Sequence, residues 1–437
     1  MRVTYYGQAC TLIEAGGRKI LTDPWLTEGA YLGTWYHTHL LADAGVDVNT
    51  FSTEVDYLFI SHEHRDHMDL TALRRFRRNI PLLMCKFATP RLRNYLAAQG
   101  FTNIQEHVSG GEIDLGDGVM ATIYGTAEYT NDSALVVEHN GCRVFNETDC
   151  KLGFADLEEI GDRGVDLGLF MFSGANWYPM VYNYPQETQL ELVRGRRRAL
   201  VQSFVQRVKL MQPRFAVPSA GPCTVLHPDL MWLNTPERGI FIDPIEAIDA
   251  LRTVKTSSQC LVMAATDVWD SETGFEQHSP AAFRRPRTEY LAEAAARLEP
   301  SIRAARAAET PASPELPKAF RDHFNSLVSA QTASVRKRIN AKLAFAVSGP
   351  QGGNWTIDFS AGPDFVREGL SPDWTYKIEV EDKLLWPFVN GSEEFFEDLL
   401  LSLRFRADRR PDQYNEPLYH FLYDPDPKRL HDWYAQH

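Results

Sequence analysis

Ser61-His62-Glu63-His64-Arg65-Asp66-His67-Met68-Asp69 is the stretch whose reading decides the fold of this chain. Four metal-ligating side chains, His62, His64, Asp66 and His67, fall within six residues. Before them comes Val55-Asp56-Tyr57-Leu58-Phe59-Ile60, an apolar, β-prone run expected to be a buried strand. Leu70 to Phe76 follows as an expected helix. The histidines therefore belong to a strand-to-helix turn, with side chains free to converge on a cation. His-x-His sets two imidazoles on one side of an extended segment, and Asp66 and His67 can face a second position close by. A charged surface loop would account for the residue types but not for their spacing or the strand in front of them.

The 437 residues leave room for two or three domains, and 44% hydrophobic content supports a large core. A formal net charge of −13 argues against a nucleic-acid partner held by a broad basic surface. No run of about 20 apolar residues is present, so no membrane partner is expected. Met1 to Tyr6 reads directly as a strand and leaves no room for a signal peptide. The six cysteines (Cys10, Cys85, Cys142, Cys150, Cys223, Cys260) are scattered, with no Cys-x-x-Cys pair. Reduced thiols and a cytoplasmic location follow as expectations, and neither a zinc ribbon nor a Rieske cluster pattern is found.

Taken in order, residues 1–26 alternate like an antiparallel hairpin and close on Asp23-Pro24-Trp25-Leu26. Residues 27–54 form an aromatic-rich insertion in which His37 and His39 repeat the His-x-His spacing. No strand precedes that pair and no acid follows it, so both are expected to be loop residues. Short strands are expected at 80–85, 112–115, 120–124, 134–138, 142–146, 167–172 and 214–218, with a long helix over 186–211. Arg194-Gly195-Arg196-Arg197-Arg198 reads as a solvated helix face, or else as a docking patch for an acidic electron carrier. Thr310 to Pro317 has three prolines in eight residues and is the expected linker. The expected domains are a catalytic domain over 1–309 and a smaller α+β domain over 318–437. In the latter, 343–347, 355–359, 376–380 and 384–389 read as strands and 395–405 as an amphipathic helix.

Tyr6 to Glu14, Ile20 to Trp25 and His62-x-His64-x-Asp66-His67 together resemble the metallo-β-lactamase superfamily over about residues 1–230. The resemblance implies an α/β fold, an αββα sandwich with a dinuclear metal site at one edge of its sheets. It assigns His62 and His64 to one ion, Asp66, His67 and His227 to the other, and Asp149 to a bridge between them. The third histidine of the first ion is missing: no histidine occurs between His107 and His139. Glu128 is the expected replacement and Asp132 the alternative. Oxygen-rich shells favour iron or manganese over zinc, and a glutamate in this role is similar to the diiron β-hydroxylase of chloramphenicol biosynthesis.

Met171 to Met180, Leu210 to Phe215, Pro218 to Gly221, His227-Pro228 and Leu403 to Tyr414 resemble the CMP-N-acetylneuraminate hydroxylase family, without that family's Rieske domain. Residues 355–359 and 378–391 resemble a sterol-carrier-like module. The resemblances imply two metal ions, iron, with zinc or manganese as the alternative. The implied function is an O2-activating diiron oxygenase that hydroxylates or oxidises a small polar metabolite. Its partners would be the substrate, O2 and a separate electron-transfer protein. A metal-dependent hydrolase of an ester, lactone, amide or phosphodiester is the alternative. Lys151, Asn176, Trp177 and Tyr178 are candidates for binding substrate, each with ordinary packing or exposure as the competing reading.

Overall fold

Ser133–His139 shows how the first part of the molecule is layered. Leu135 and Val137 join one buried cluster and Ala134 and Val136 another, as the two-residue period of a strand requires. The computed structural model describes residues 1–174, 176–278 and 286–437. They divide into one unit of residues 1–30, 34–175 and 190–299 and another of 31–33, 176–189 and 300–437.

Among the described residues, the first unit has two large sheets. One runs Gly274–Glu276, Val268–Asp270, Arg2–Gly7, Cys10–Ala15, Arg18–Thr22, Tyr57–Phe59, Leu82–Cys85, Ile104–His107. The other runs Gln259–Cys260, Phe215–Ser219, Leu167–Met171, Cys142–Asn146, Ser133–His139, Met120–Gly125, Glu112–Asp114. Val3, Ile13, Ile20, Phe59 and Leu83 of the first sheet meet Ile123, Leu135, Val144, Leu169 and Val217 of the second in one core. Each such side chain contributes roughly 1.5–3 kcal/mol when fully buried. The outer face of the second sheet packs Phe145 and Phe170 against Leu157, Phe204, Val208 and Leu251 from three helices. This is the metallo-β-lactamase fold, an α/β sandwich followed by an additional C-terminal domain. Arg18–Thr22, Tyr57–Phe59 and Leu82–Cys85 are mutually parallel, as are Cys142–Asn146, Leu167–Met171 and Phe215–Ser219. Loops leaving Tyr57–Phe59 and Cys142–Asn146 carry His62, His64, Asp66, His67 and Asp149.

The long helix Gln186–Met211 is not solvated along the whole arginine run. Arg197 is buried and donates to the carbonyls of Gly239 (3.2 Å) and Phe241 (2.9 Å), and pairs with Glu246. An arginine can lie inside when its fork meets fixed carbonyls.

In the second unit the sheet order is Val366–Glu368, Gly353–Asp358, Lys342–Ser348, Tyr376–Glu381, Phe405–Arg409. Helix Leu316–Ala330 begins inside the expected linker, with Pro317 in its first turn, and buries Leu316, Phe320, Phe324 and Val328. Two expectations fail in this unit. The run 384–389 is part of helix Asp382–Val389 rather than a strand, since a short apolar run carries no period of its own. The expected helix over 395–405 shortens to Glu397–Leu401, and Phe405 opens a strand. No helix among the described residues is long and apolar enough to cross a membrane.

Candidate metal centre

Strand Tyr57–Phe59 delivers Ser61 to Asp69 to the edge of the first sheet. His67 and Met68 fold back onto the carbonyl of His64 (3.0 and 2.7 Å), and Asp69 caps the following short helix through Thr71 N (2.9 Å) and Ala72 N (3.1 Å). The other Asp69 oxygen accepts from Leu26 N, Thr27 N and the Thr27 hydroxyl, tying the Asp-Pro-Trp turn to the histidine loop. The side chains therefore converge within a closed backbone frame.

Nε2 of His62 lies 2.7 Å from Nδ1 of His64. One donor atom from each of His62, His64 and Asp149 lies within 4.8 Å of the others. Nε2 of His67 stands 3.7 Å from Asp66 and 3.6 Å from Asp149. His62, Asp66, His67 and His227 are buried. Asp149 follows strand Cys142–Asn146 through Glu147 and Thr148, whose φ of 55° is left-handed and costly for a β-branched residue. His227 precedes the turn of 3-10 helix Pro228–Asn234, 3.8 Å from Asp229.

Of the two acids weighed for the third-histidine position, Asp132 is the one that lies beside His62. Glu128 is exposed, and its amide closes a local turn on Thr126. Asp132 Oδ1 stands 3.4 Å from Nδ1 of His62 and accepts from Ser133 N at 2.8 Å. The physical reason is the anchoring of its neighbours. Asn131 is buried and donates to both oxygens of the buried Glu63 (3.3 Å), while the Ser133 hydroxyl donates to Ser61 O (2.9 Å). These two bonds turn residue 132 inward and leave 128 on the outer limb of the loop.

Burial, with Asp149 close by, raises the Asp132 pKa strongly. Burial also works against ionised Asp149, but His67, His62 and His64 outweigh it and hold Asp149 below the usual carboxylate range. Burial and the two neighbouring imidazoles lower His62 to about 3. Burial opposes charge on His67, yet Asp66, Asp149 and Asp23 raise it well above the usual histidine value. His62 faces His64 and Asp132 lies close to Asp149, while His67 is shared by three carboxylates, and a cation would relieve the like pairs.

Sequence reasoning used Asp23 only as part of a turn motif. In the structure it is fully buried, accepts Ser61 N (2.7 Å) and the Ser61 hydroxyl (2.6 Å), and lies 2.8 Å from Nδ1 of His67. A carboxylate on one ring nitrogen fixes the tautomer and aims the other nitrogen inward, toward Asp66 and Asp149. Glu63, the residue between the two histidines, was likewise passed over. Its buried carboxylate, held by Asn131 and near Arg91 (3.6 Å), is what positions the opposite loop.

Of the remaining candidates, Lys151 is exposed two residues beyond Asp149. Asn176, Trp177 and Tyr178 fall in the second unit. There Asn176 accepts Tyr178 N (2.7 Å), Trp177 packs on Tyr419, and Tyr178 lies under Arg409. His37 is a buried loop residue stacked on Trp25 at 4.0 Å, and burial lowers its pKa to about 3.

Comparison with known proteins bears on this geometry. Residues 2–164, which hold the hairpin, the histidine turn and Asp149, match the model of the β-lactamase superfamily domain. They form a β-lactamase superfamily domain. Along 97% of this chain and 84% of the relative, identity is 29% to a protein of Mycolicibacterium smegmatis provisionally named a Rieske 2Fe-2S iron-sulfur protein. Identity is 30% to the cytidine monophosphate-N-acetylneuraminic acid hydroxylase of Danio rerio, over 52% of this chain and 39% of that one. Among solved structures, CmlA, a diiron β-hydroxylase from Streptomyces venezuelae, aligns with a TM-score of 0.39 and 16% identity, covering 60% of this chain and 53% of that one. The match to the superfamily domain thus covers the histidine turn and Asp149, and stops short of Phe215–Ser219, His227 and residues 300–437 of the second unit.

Proposed function

We propose that the chain is a diiron oxygenase that hydroxylates or otherwise oxidises a small polar metabolite. The observation that carries this reading is Asp132 beside His62, where a histidine-based hydrolase site would have a third imidazole. His62, His64 and Asp132 would hold one ion, Asp66, His67 and His227 the other, and Asp149 would lie between. Three carboxylates among seven donors make a shell harder than that of a typical dizinc site, which suits iron or manganese. Two bound irons would supply O2 activation and the redox equivalents.

The chain's own residues orient and shield. Asp23 holds the His67 ring, Asn131 and Ser133 hold the Asp132 loop on the histidine turn, and burial of His62, His67 and His227 excludes bulk water. Lys151, exposed beyond Asp149, would meet an anionic group of the substrate. Electrons would come from a separate electron-transfer protein, in keeping with one relative's hydroxylase name and the other's iron-sulfur name. The alternative, a hydrolase of an ester, lactone, amide or phosphodiester, is supported by the His62–His67 spacing alone.

Metal analysis of protein purified without added metal tests the choice. Two irons per chain, with an absorption band that changes on exposure to O2, is the expected result. Two zinc ions, with anaerobic turnover of a phosphodiester or lactone, would overturn the oxygenase and leave the hydrolase.

A further inference from the structure

A charged pair lies just behind Asp149. The Glu147 side chain is fully buried and that of Arg207 is 6% exposed, with Nε 3.1 Å from Oε1. Both ends of the pair grip one peptide position. Glu147 Oε2 accepts Met171 N at 2.9 Å, and Arg207 Nη2 donates to Met171 O at 2.5 Å. Arg207 Nη1 reaches the Ser203 hydroxyl at 3.0 Å, one turn back on the same helix. Glu147 N also bonds Leu169 O (3.0 Å), so the loop start is held by main chain and side chain at once.

Burying two charges costs several kcal/mol per ion, and an apolar pair of the same volume is often no less stable. Bulk stability is therefore a weak reason for charges at this place. The next two residues supply a better one. Thr148 holds left-handed φ while its hydroxyl bonds Ser133 O at 2.7 Å, and Asp149 follows it into the donor cluster. A strained residue stays in place only when its surroundings over-determine it. Glu147 and Arg207 fix the chain on one side of Thr148, and Ser133 fixes it on the other.

We propose that Glu147 and Arg207 are positioning residues, a buried clamp that holds the 147–149 loop so that the Asp149 carboxylate stands between the two halves of the donor set. The proposal rests on the dinuclear reading above. Neither residue touches an ion; both act through the backbone they hold.

The test is calorimetric titration of the full-length apo chain with Zn2+, alongside its thermal midpoint by circular dichroism. Glu147→Gln keeps the shape and removes the charge. It should weaken the affinity for at least one ion by about 10–100-fold, the range found when outer supports of metal ligands are lost. Arg207→Lys keeps a charge without the fork and should give a smaller loss in the same ion, and it serves as the readout if Glu147→Gln does not fold. Arg143→Met is the structural control. Arg143 is a buried arginine of the same unit that donates to Ile160 O (3.0 Å) and Gly164 O (2.9 Å), away from the loop. It should lower the thermal midpoint and leave affinity unchanged. Wild-type affinity in Glu147→Gln, or equal losses in Glu147→Gln and Arg143→Met, would overturn the clamp. A wild-type chain that takes one ion overturns the dinuclear reading instead, while the ratio of variant to wild-type affinity still judges the clamp.

Discussion

Two regions gather polar side chains in quantity, and they do it in opposite ways. At the edge of the first unit, His62 faces His64 and Asp132 lies close to Asp149, with His67 set among several carboxylates. In the second unit, Tyr178, Tyr182, Tyr184, Tyr376, Arg409 and Asp412 are matched donor to acceptor. Tyr182 and Tyr376 share a 2.7 Å bond, Tyr184 donates to Asp412 at 2.7 Å, and Arg409 pairs with Asp412 while lying 4.7 Å from the Tyr178 ring centre. A self-satisfied network needs nothing more and rigidifies its unit. A cluster of like groups is complete only with something of opposite charge, which is why the first region reads as a site and the second as a scaffold.

The contrast can be broken most directly by removing metal. A chelator should lower the stability of the loaded chain by about 4 kcal/mol when free metal had stood near 1,000 times its dissociation constant. Hydrogen exchange should place that loss in the first unit, and uniform loss across both units would erase the distinction. Next in size is Asp132→Ala, which should cost one bound ion. Glu128→Ala should keep both, and metal analysis of the pair decides which carboxylate belongs to the shell.

Arg409→Met should destabilise the second unit by roughly 1 kcal/mol, because its partner Asp412 is half exposed and solvent screens the pair. It should leave metal content unchanged, and loss of metal would show that the two regions are not independent. The smallest effect is in pH dependence. His37 has a folded pKa near 3 against about 6.5 when unfolded, so the unfolded state binds more protons between those values. The stability held by neutral His37 is complete above about pH 6.5 and falls as pH drops toward 3. His37→Phe, which keeps the stack on Trp25, should flatten that part of a denaturation profile measured on the metal-free chain.

Much of the first unit was legible because its signals are local. The period of two in Ser133–His139, the apolar run before His62 and the Asp-Pro-Trp turn each lie within a few residues. What failed was equally local in form but ambiguous in content. The apolar run 384–389 suits strand and helix alike, and tertiary packing chose the helix. Arg197 looked solvated because its partners, the carbonyls of Gly239 and Phe241, come from a distant loop. For Trp177 and Tyr178 the sequence offered pocket and packing alike, and it could not show what they pack on. Their partners Tyr419 and Arg409 lie more than two hundred residues onward.

By itself the sequence determined the sandwich and the histidine turn, since a strand, a capped turn and four ligand types in six residues admit few other arrangements. It left open which acid faces His62, because Glu128 and Asp132 are four residues apart in one loop and equally suited by chemistry. The tertiary structure decided it through Asn131 on Glu63 and Ser133 on Ser61. Hydrogen bonds across some seventy residues of chain turn Asp132 inward, and no pattern within the loop encodes them.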